Sequence, residues 1–452
     1  MTACDIFIGP CAVICMDRSL TVHDPGFIAV KDGKIAAVGG AASPEAGWYR
    51  AGAAEAVDAG GMAAFPGFVN AHTHVSMSAF RGACEDAPDR LRKYLFPLEK
   101  RLLGRRLVKE AALFTMAEMA LSGTTTFADM YYFEDEVAAA AKLSGMRALL
   151  GETVVDFPAA DAPEPYGGLA YARGFIADWK GDRLITPCIA PHAPYTVDAE
   201  HLRLVSETAE ALDVRVMMHV AEAEHEHARF SASHGSVLRY LDGTGILSPR
   251  LLAAHMLYLD DRDIELAARR GVAVAHAPAS NLKSGRPICP AWRLSQAGVR
   301  LGLASDGPIS GNGMDMQGVL ALFPKLQKTR ESRREIVSAR EALRAATAGG
   351  AEALGMADRI GSLEPGKAAD LVLAETRDFN VQPVYDWYAT LVYALRPHNV
   401  RHVLVDGHWI VRDRRMTGFD QEEAMDRMYS IADSCRATIG EISAAGSAGA
   451  AP

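Results

Sequence analysis

The sequence has no Cys-x-x-Cys pair, and its seven cysteines (Cys4, Cys11, Cys15, Cys84, Cys188, Cys289 and Cys435) are odd in number and scattered. That excludes a disulfide framework or a cysteine-based structural zinc site as the organising device. No uninterrupted apolar run reaches the roughly 20 residues that a membrane helix needs, so no membrane partner is expected. The first residues, Met-Thr-Ala-Cys-Asp, lack a charged segment followed by an apolar stretch. No secretory signal is read there, and a reduced, cytoplasmic location is the expectation. Positive charge is also short. The formal net charge is −9, and no basic stripe compensates for it, which argues against a nucleic-acid partner. The densest basic stretch, Lys325 to Arg344, is interleaved with glutamates and reads as a solvated helix face. No Gly-rich phosphate loop opens any helical segment.

What is present is an ordinary globular balance, 49% hydrophobic and 23% charged, over 452 residues. That length is enough for two or three domains with a sizeable core. The sharpest stretch is Pro66-Gly67-Phe68-Val69-Asn70-Ala71-His72-Thr73-His74. An apolar run leads into two histidines separated by one residue. On a strand, residues i and i+2 share a face, so His72 and His74 present two imidazoles side by side. A divalent transition metal needs that spacing.

Residues 5 to about 60 read as short strands. Asp32-Gly33, between Phe27-Ile-Ala-Val and Lys34-Ile-Ala-Ala-Val, is a hairpin signal. From residue 65 short apolar strands alternate with long amphipathic stretches. Helices are predicted at Leu107–Ser122, Glu134–Ser144 and Ala199–Leu212, and strands at Thr124–Met130, Arg147–Val155 and Ile185–His192. Repeated β-then-α units imply a parallel sheet, and eight of them over roughly 300 residues predict a (β/α)8 barrel. A doubly wound open sheet is the alternative. Strands return after Gly361, and Asp406-Gly407 repeats the hairpin signal. The two chain ends are therefore expected to pair. The predicted organisation is a composite β-sandwich domain from residues 1–64 and 366–420, a catalytic (β/α)8 barrel over 65–365, and a C-terminal helix with a mobile tail over 421–452. That last helix is expected to run from about Asp420 to Ile439.

In a barrel, reactive residues belong at the carboxyl ends of strands. The polar residues that end the predicted strands are His72 and His74, Asp129, His192, His219 with Glu222, His255, His276 and Asp306. Two histidines on one strand, a third on another and a carboxylate on the last make a mixed N/O set suited to Zn2+ or Fe2+. Glu222 lies three residues past His219, where strand becomes loop. It can face a substrate and shuttle protons, or it can be a helix N-terminal carboxylate. The continuation Glu224-His225-Glu226-His227 reads as helix surface rather than a second metal site.

Pro66 to His74, Arg81-Gly82, Pro97-Leu98-Glu99, Asp129-Met130-Tyr131, Pro191 to Thr196, His219 to Glu222, His276-Ala-Pro-Ala-Ser-Asn281 and Ser305-Asp306-Gly307 together resemble the amidohydrolase superfamily. The branch they are most similar to holds the 5-methylthioadenosine/S-adenosylhomocysteine deaminases and the triazine hydrolases. Gly361 to Leu371 resembles the passage by which the superfamily re-enters its β domain. The resemblance implies one divalent metal per chain, zinc before iron, held by His72, His74, His219 and Asp306. It implies that His255 hydrogen-bonds the metal's water and that Glu222 protonates a ring nitrogen of the substrate. His192 and Glu99 would contact a ribose, and a homo-oligomer is expected. Binuclear members bridge two metals with a lysine or glutamate from the fourth strand, and Ile185 to His192 offers neither. The cytidine-deaminase signature is absent.

The implied function is hydrolytic deamination of an amino-substituted N-heterocycle in a small-molecule substrate, an adenosine-type nucleoside before a bare guanine-like, pterin or triazine ring. A catalytically silent barrel is the alternative from another class. Three features depart from the branch. The aspartate motif continues Gly307-Pro-Ile-Ser-Gly-Asn312. The loop from Val154 to Ala172 carries no Arg or Lys. Arg286 stands where smaller residues are common, and it either reaches the substrate or pairs with a nearby acid.

Overall fold

The computed structural model describes residues 3–87 and 90–448. Five strands open the chain: β1 (Cys4–Ile14), β2 (Val22–Lys31), β3 (Lys34–Gly40), β4 (Ala53–Val57) and β5 (Met62–Pro66). Eight more follow, alternating with helices: β6 (Phe68–Thr73), β7 (Thr124–Tyr131), β8 (Arg147–Val154), β9 (Ile185–Pro191), β10 (Arg215–Val220), β11 (Leu251–His255), β12 (Ala273–His276) and β13 (Arg300–Leu303). These eight are parallel and hydrogen-bonded in sequence order from β6 to β13. The Asp306 amide donates to the His72 carbonyl at 3.1 Å, which brings the end of the last strand against the first. This is the (β/α)8 barrel that the alternating pattern implied. Every residue of β6, β7, β8 and β11 is buried. Strands covered on both faces read as continuous apolar runs, which is why the pattern was legible.

Four strands return at the end: β14 (Leu371–Glu375), β15 (Val400–Val405), β16 (His408–Arg412) and β17 (Arg415–Met416). They join the opening strands in one nine-stranded, largely antiparallel sheet, ordered β17-β16-β15-β14-β5-β1-β2-β3, with β4 beside β1. Both Asp-Gly pairs form hairpin turns, with Lys31 opposite Lys34 and Val405 opposite His408. All four turn residues have φ between +50° and +77°, the conformation a tight primed turn demands. The turns also touch each other. A Cβ on Gly33 would come within 2.7 Å of the Asp406 carbonyl oxygen, so only glycine fits there.

Two elements differ from expectation. An eight-residue helix, Pro44–Ala51, interrupts the opening strands, with Ser43 as its cap (Ala46 N to Ser43 Oγ, 3.1 Å). Two turns are too short for a helical period to stand out. The C-terminal helix runs from Gln421 to Ala448, well past Ile439, so the described part of the expected mobile tail is helical. Residues 449–452 of that tail lie outside the described residues. Among the described residues, no helix is long and apolar enough to cross a membrane.

The second sheet is fastened where barrel strands begin. Arg147, the first residue of β8, is fully buried and forks onto Asp370 (Nε to Oδ2 2.9 Å, Nη2 to Oδ1 3.2 Å). Its Nη1 donates to the Arg183 carbonyl at 2.9 Å, and the Asp406 amide donates to Asp370 Oδ1 at 2.7 Å. Removing one member of such a pair strands a buried charge. We expect Arg147→Met to destabilise the fold by about 3–5 kcal/mol, read as a lowered midpoint of thermal or urea unfolding. Arg147→Met with Asp370→Leu should recover part of that loss. A single variant as stable as the wild type would show that the pair does not tie the sheets together.

Candidate active site

Four strand ends and the turns beyond them supply the side chains that meet at the barrel's carboxyl end. His72 lies on β6, with His74 one residue beyond it. His219 lies on β10 and His255 closes β11, while Asp306 follows β13. The chain turns sharply at three of these points. Ala221, His255, Met256 and Asp306 all hold left-handed backbone conformations, φ +51° to +75°, without being glycine. Such residues cost on the order of 1–3 kcal/mol each and concentrate at functional sites.

The imidazoles of His72, His74 and His219 converge, with one ring nitrogen of each within 4.8 Å of the others. His74 Nε2 and His219 Nε2 are 3.2 Å apart. Their other nitrogens are occupied: His74 Nδ1 donates to the Met130 carbonyl at 2.6 Å, and His219 Nδ1 donates to the His192 carbonyl at 2.9 Å. Each Nε2 is therefore left as a lone pair aimed at the shared point, the tautomer that metal-binding histidines use. His72 is completely buried, and neither of its ring nitrogens has a protein partner. Burial, then the neighbouring imidazoles, holds both His72 and His219 well below the usual histidine range, so they stay neutral. Asp306 Oδ1 sits 3.5 Å from His74 Nε2 and 3.8 Å from His72 Nε2. Ser280 Oγ donates to its other oxygen at 2.5 Å. Neutral imidazoles, an orphaned buried nitrogen pair and one carboxylate fit a single divalent transition metal.

Glu222 stands beside this cluster. Its Oε1 is 3.5 Å from His255 Nε2 and is also contacted by Arg286 Nη1. Burial pushes the Glu222 carboxyl up, but His255 and Arg286 outweigh it and hold the group below the usual carboxylate range. It rests ionised. The Asn281 amide donates to His255 Nδ1 at 2.9 Å, which leaves Nε2–H to face Glu222. Of its two expected roles, Arg286 shows the pairing with a nearby acid, Glu222, and it also lines the cavity.

Glu226 corrects the reading of its segment as helix surface. It is fully buried and accepts backbone N–H bonds from Ala221, Glu222 and Ala223 at 2.9–3.3 Å. It holds the turn that carries Glu222. Asp129 has a similar role at β7, accepting from Thr73 Oγ1 at 2.5 Å and the Val75 amide at 2.7 Å, on either side of His74. Ser280 and Asn281 lie in the motif after β12, but only the fold reveals which partners they steady. His276 stays apart from the cluster, its ring against Phe323.

A cavity of about 180 Å³ opens over these groups, with His74, His192, His219, Glu222, His255 and Asp306 among its walls. Glu99 and Tyr131 line it further out. The Tyr131 hydroxyl donates to Glu99 Oε1 at 2.6 Å, and burial pushes the Glu99 carboxyl up to about 7. His192 Nδ1 is hydrogen-bonded to Thr196 Oγ1 at 2.9 Å, and burial lowers this imidazole to about 4, leaving it neutral. His74, Glu99, His192, His219, Glu222, His255, Arg286 and Asp306 thus line one cavity, with the His72 ring packed against His74, while Asp129 and His276 lie outside its walls. The arrangement can hold a cation that polarises a water, keep an ionised carboxylate near it, and offer hydrogen bonds to a polar ligand from its walls.

Residues 63–410 match the amidohydrolase family. A 5-methylthioadenosine/S-adenosylhomocysteine deaminase from Syntrophobacter fumaroxidans is 39% identical over 423 residues, 93% of this chain and 96% of the relative. A zinc-bound crystal structure of an adenosine deaminase from Xanthomonas campestris superposes with a TM-score of 0.92 at 36% identity, covering 96% of this chain and 99% of the other. Atrazine chlorohydrolase from Arthrobacter aurescens TC1, complexed with zinc, gives a TM-score of 0.87 at 25% identity, with 94% and 100% covered. The barrel, its strand-end histidines and a match spanning most of the sequence lead to one conclusion: the chain belongs to the amidohydrolase family.

Proposed function

We propose that this chain is a metal-dependent hydrolytic deaminase of adenosine-type nucleosides, acting on the carbon–nitrogen bond of the exocyclic amine and releasing ammonia. The observation that carries the reading is an ionised Glu222 held 3.5 Å from a histidine N–H, in the same cavity as three converging imidazoles. The deaminase relatives support the reaction class. Glu99 and His192 favour a ribose-bearing substrate, since one carboxyl and one neutral imidazole on the cavity wall suit sugar hydroxyls. Seven unpaired cysteines accord with a reducing compartment.

His72, His74, His219 and Asp306 would hold one zinc ion, the cation bound in two structural relatives. Zinc so placed lowers the pKa of a coordinated water to about 7 and polarises the reacting centre. The chain's own groups then manage two protons. Glu222, ionised at rest, takes the first from the attacking water and delivers it to the ring nitrogen next to the amino-bearing carbon. That carbon becomes electrophilic and accepts the water's oxygen. His255 Nε2–H orients the water. Asp306 takes the second proton and passes it to the amine, the carbon–nitrogen bond breaks, and ammonia leaves. The ring keeps the first proton and the new oxygen, so the step balances as hydrolysis.

Three outcomes follow. Glu222→Gln should lower kcat by roughly 10²–10⁴ or more while zinc content, measured by atomic absorption, stays at one per chain. Equal losses of zinc and activity would reassign Glu222 to metal binding. His72→Ala should bind no zinc, and chelation of the wild type should abolish ammonia release until zinc is restored. Full activity in the chelated protein would sink the metal reading. Assayed against adenosine, methylthioadenosine, guanine, a pterin and an aminotriazine, the protein should release ammonia from the nucleosides. Turnover of bare rings alone would remove the ribose role from Glu99 and His192.

A further inference from the structure

Arg286 is built into the cavity wall. The short helix Pro278–Lys283 carries Ser280 and Asn281, the partners of Asp306 and His255. The chain leaves that helix through Gly285, at φ +66°, and the Arg286 amide then donates to the Asn281 carbonyl at 3.0 Å. Pro287 follows, its φ held by the ring. The Arg286 side chain is mostly buried, lines the cavity and meets Glu222 through Nη1. The contacts that His255 and Arg286 make with Glu222 both fall on Oε1, which leaves Oε2 to a ligand. Glu222 and Arg286 together therefore show the cavity a hydrogen-bond acceptor directly beside a donor.

The complement of that pair is a ring N–H next to a ring carbonyl. We infer that Arg286 reads a carbonyl on the far side of the ring nitrogen that Glu222 addresses, so the preferred substrate is an adenosine-type nucleoside with an oxo group at the purine 2-position, isoguanosine being the simplest. The inference rests on the deaminase reading and names the substrate class within it. The amino-bearing carbon must face the converging imidazoles, so the carbon on the other side of that nitrogen falls to Arg286. Tyr195, whose ring stands edge-on to that of His192 at 5.9 Å, continues the same wall toward the ribose. In isoguanosine the ring N–H donates to the Glu222 carboxylate, and the 2-oxygen accepts from the guanidinium, a charge-assisted bond. Adenosine turns a bare lone pair toward that carboxylate and leaves the guanidinium facing a C–H. An amino group at the same carbon would set a second donor against Arg286.

A hydrogen bond to a charged donor is worth roughly 10–100-fold. The zinc-loaded full-length enzyme should therefore show a kcat/KM for isoguanosine about tenfold or more above that for adenosine, with 2-aminoadenosine below adenosine. Arg286→Met keeps the length of the side chain and removes its donors. It should lower the isoguanosine-to-adenosine ratio by about tenfold or more, whereas Arg286→Lys should keep part of it. The ratio is insensitive to loss of folded enzyme and to any change at Glu222 that acts on both substrates alike. The wild-type series stands whether or not either variant folds. A wild-type ratio at or below one, or a ratio unchanged in Arg286→Met, would overturn the inference while adenosine turnover keeps the deaminase reading intact. 2-Aminoadenosine handled as well as isoguanosine would show that the site reads size and not a carbonyl, and would overturn it too. No ammonia from any of the three would overturn both readings together.

Discussion

The site depends on where two imidazole protons are held. His74 and His219 each give up Nδ1–H to a backbone carbonyl at the end of a neighbouring strand, Met130 for one and His192 for the other. A parallel barrel ends its strands in carbonyls at one rim, so the fold itself fixes the tautomers that leave both Nε2 lone pairs facing inward. His72 has no such partner, and its direction comes from close packing alone. An unsatisfied buried polar group costs about 1–3 kcal/mol. A cation held by these nitrogens would therefore contribute to stability as well as to chemistry.

The scaffold offsets a second cost. Ala221, His255, Met256 and Asp306 adopt left-handed backbone conformations so that the side chains around them turn inward at the rim. Strain of this kind persists only where the surroundings over-determine it. Buried strands on either side supply that constraint, and local devices add to it: Glu226 under the 221–223 turn, and Ser280 with the Gly307 amide on Asp306. At the opposite end of the strands the Arg147–Asp370 fork joins the barrel to the second sheet.

The legible and illegible parts of the sequence divide along this line. His72 and His74 could be read because a period of two on an apolar strand fixes their relation without knowledge of the fold. The barrel could be read because long amphipathic helices alternate with strands buried on both faces. Both hairpins were visible in Asp-Gly, a purely local signal. Glu226 could not be read. Set in Glu224-His225-Glu226-His227 it looks like a solvated charge run, and only the positive φ at Ala221 brings three amides onto its carboxylate. The helix Pro44–Ala51 has a capping serine and a first-turn proline but too few residues to show a period. The alanine-rich end of the C-terminal helix looked like a low-complexity tail, yet alanine is the strongest helix former and carries the helix to Ala448. Arg286 gave two readings because pairing with an acid and reaching a substrate are decided by distance, which sequence does not contain.

Arg286 also shows why the proton chemistry has a direction. A carboxyl as enclosed as Glu222 would, on burial alone, hold its proton and begin as an acid. His255 and Arg286 reverse that, so Glu222 begins as an acceptor. It can then draw a proton from water before it has one to give. Once protonated it no longer attracts Arg286 as strongly, and the proton sits on a group whose neighbours favour its release. In the proposed reaction, delivery to the ring nitrogen would restore the ionised state that His255 and Arg286 stabilise. The same pair of neighbours thus favours the delivery half of the transfer and makes the uptake half harder. Glu226, buried beneath the same turn, is committed to backbone amides and is not a wall of the cavity, so in the proposed reaction Glu222 would act there without it.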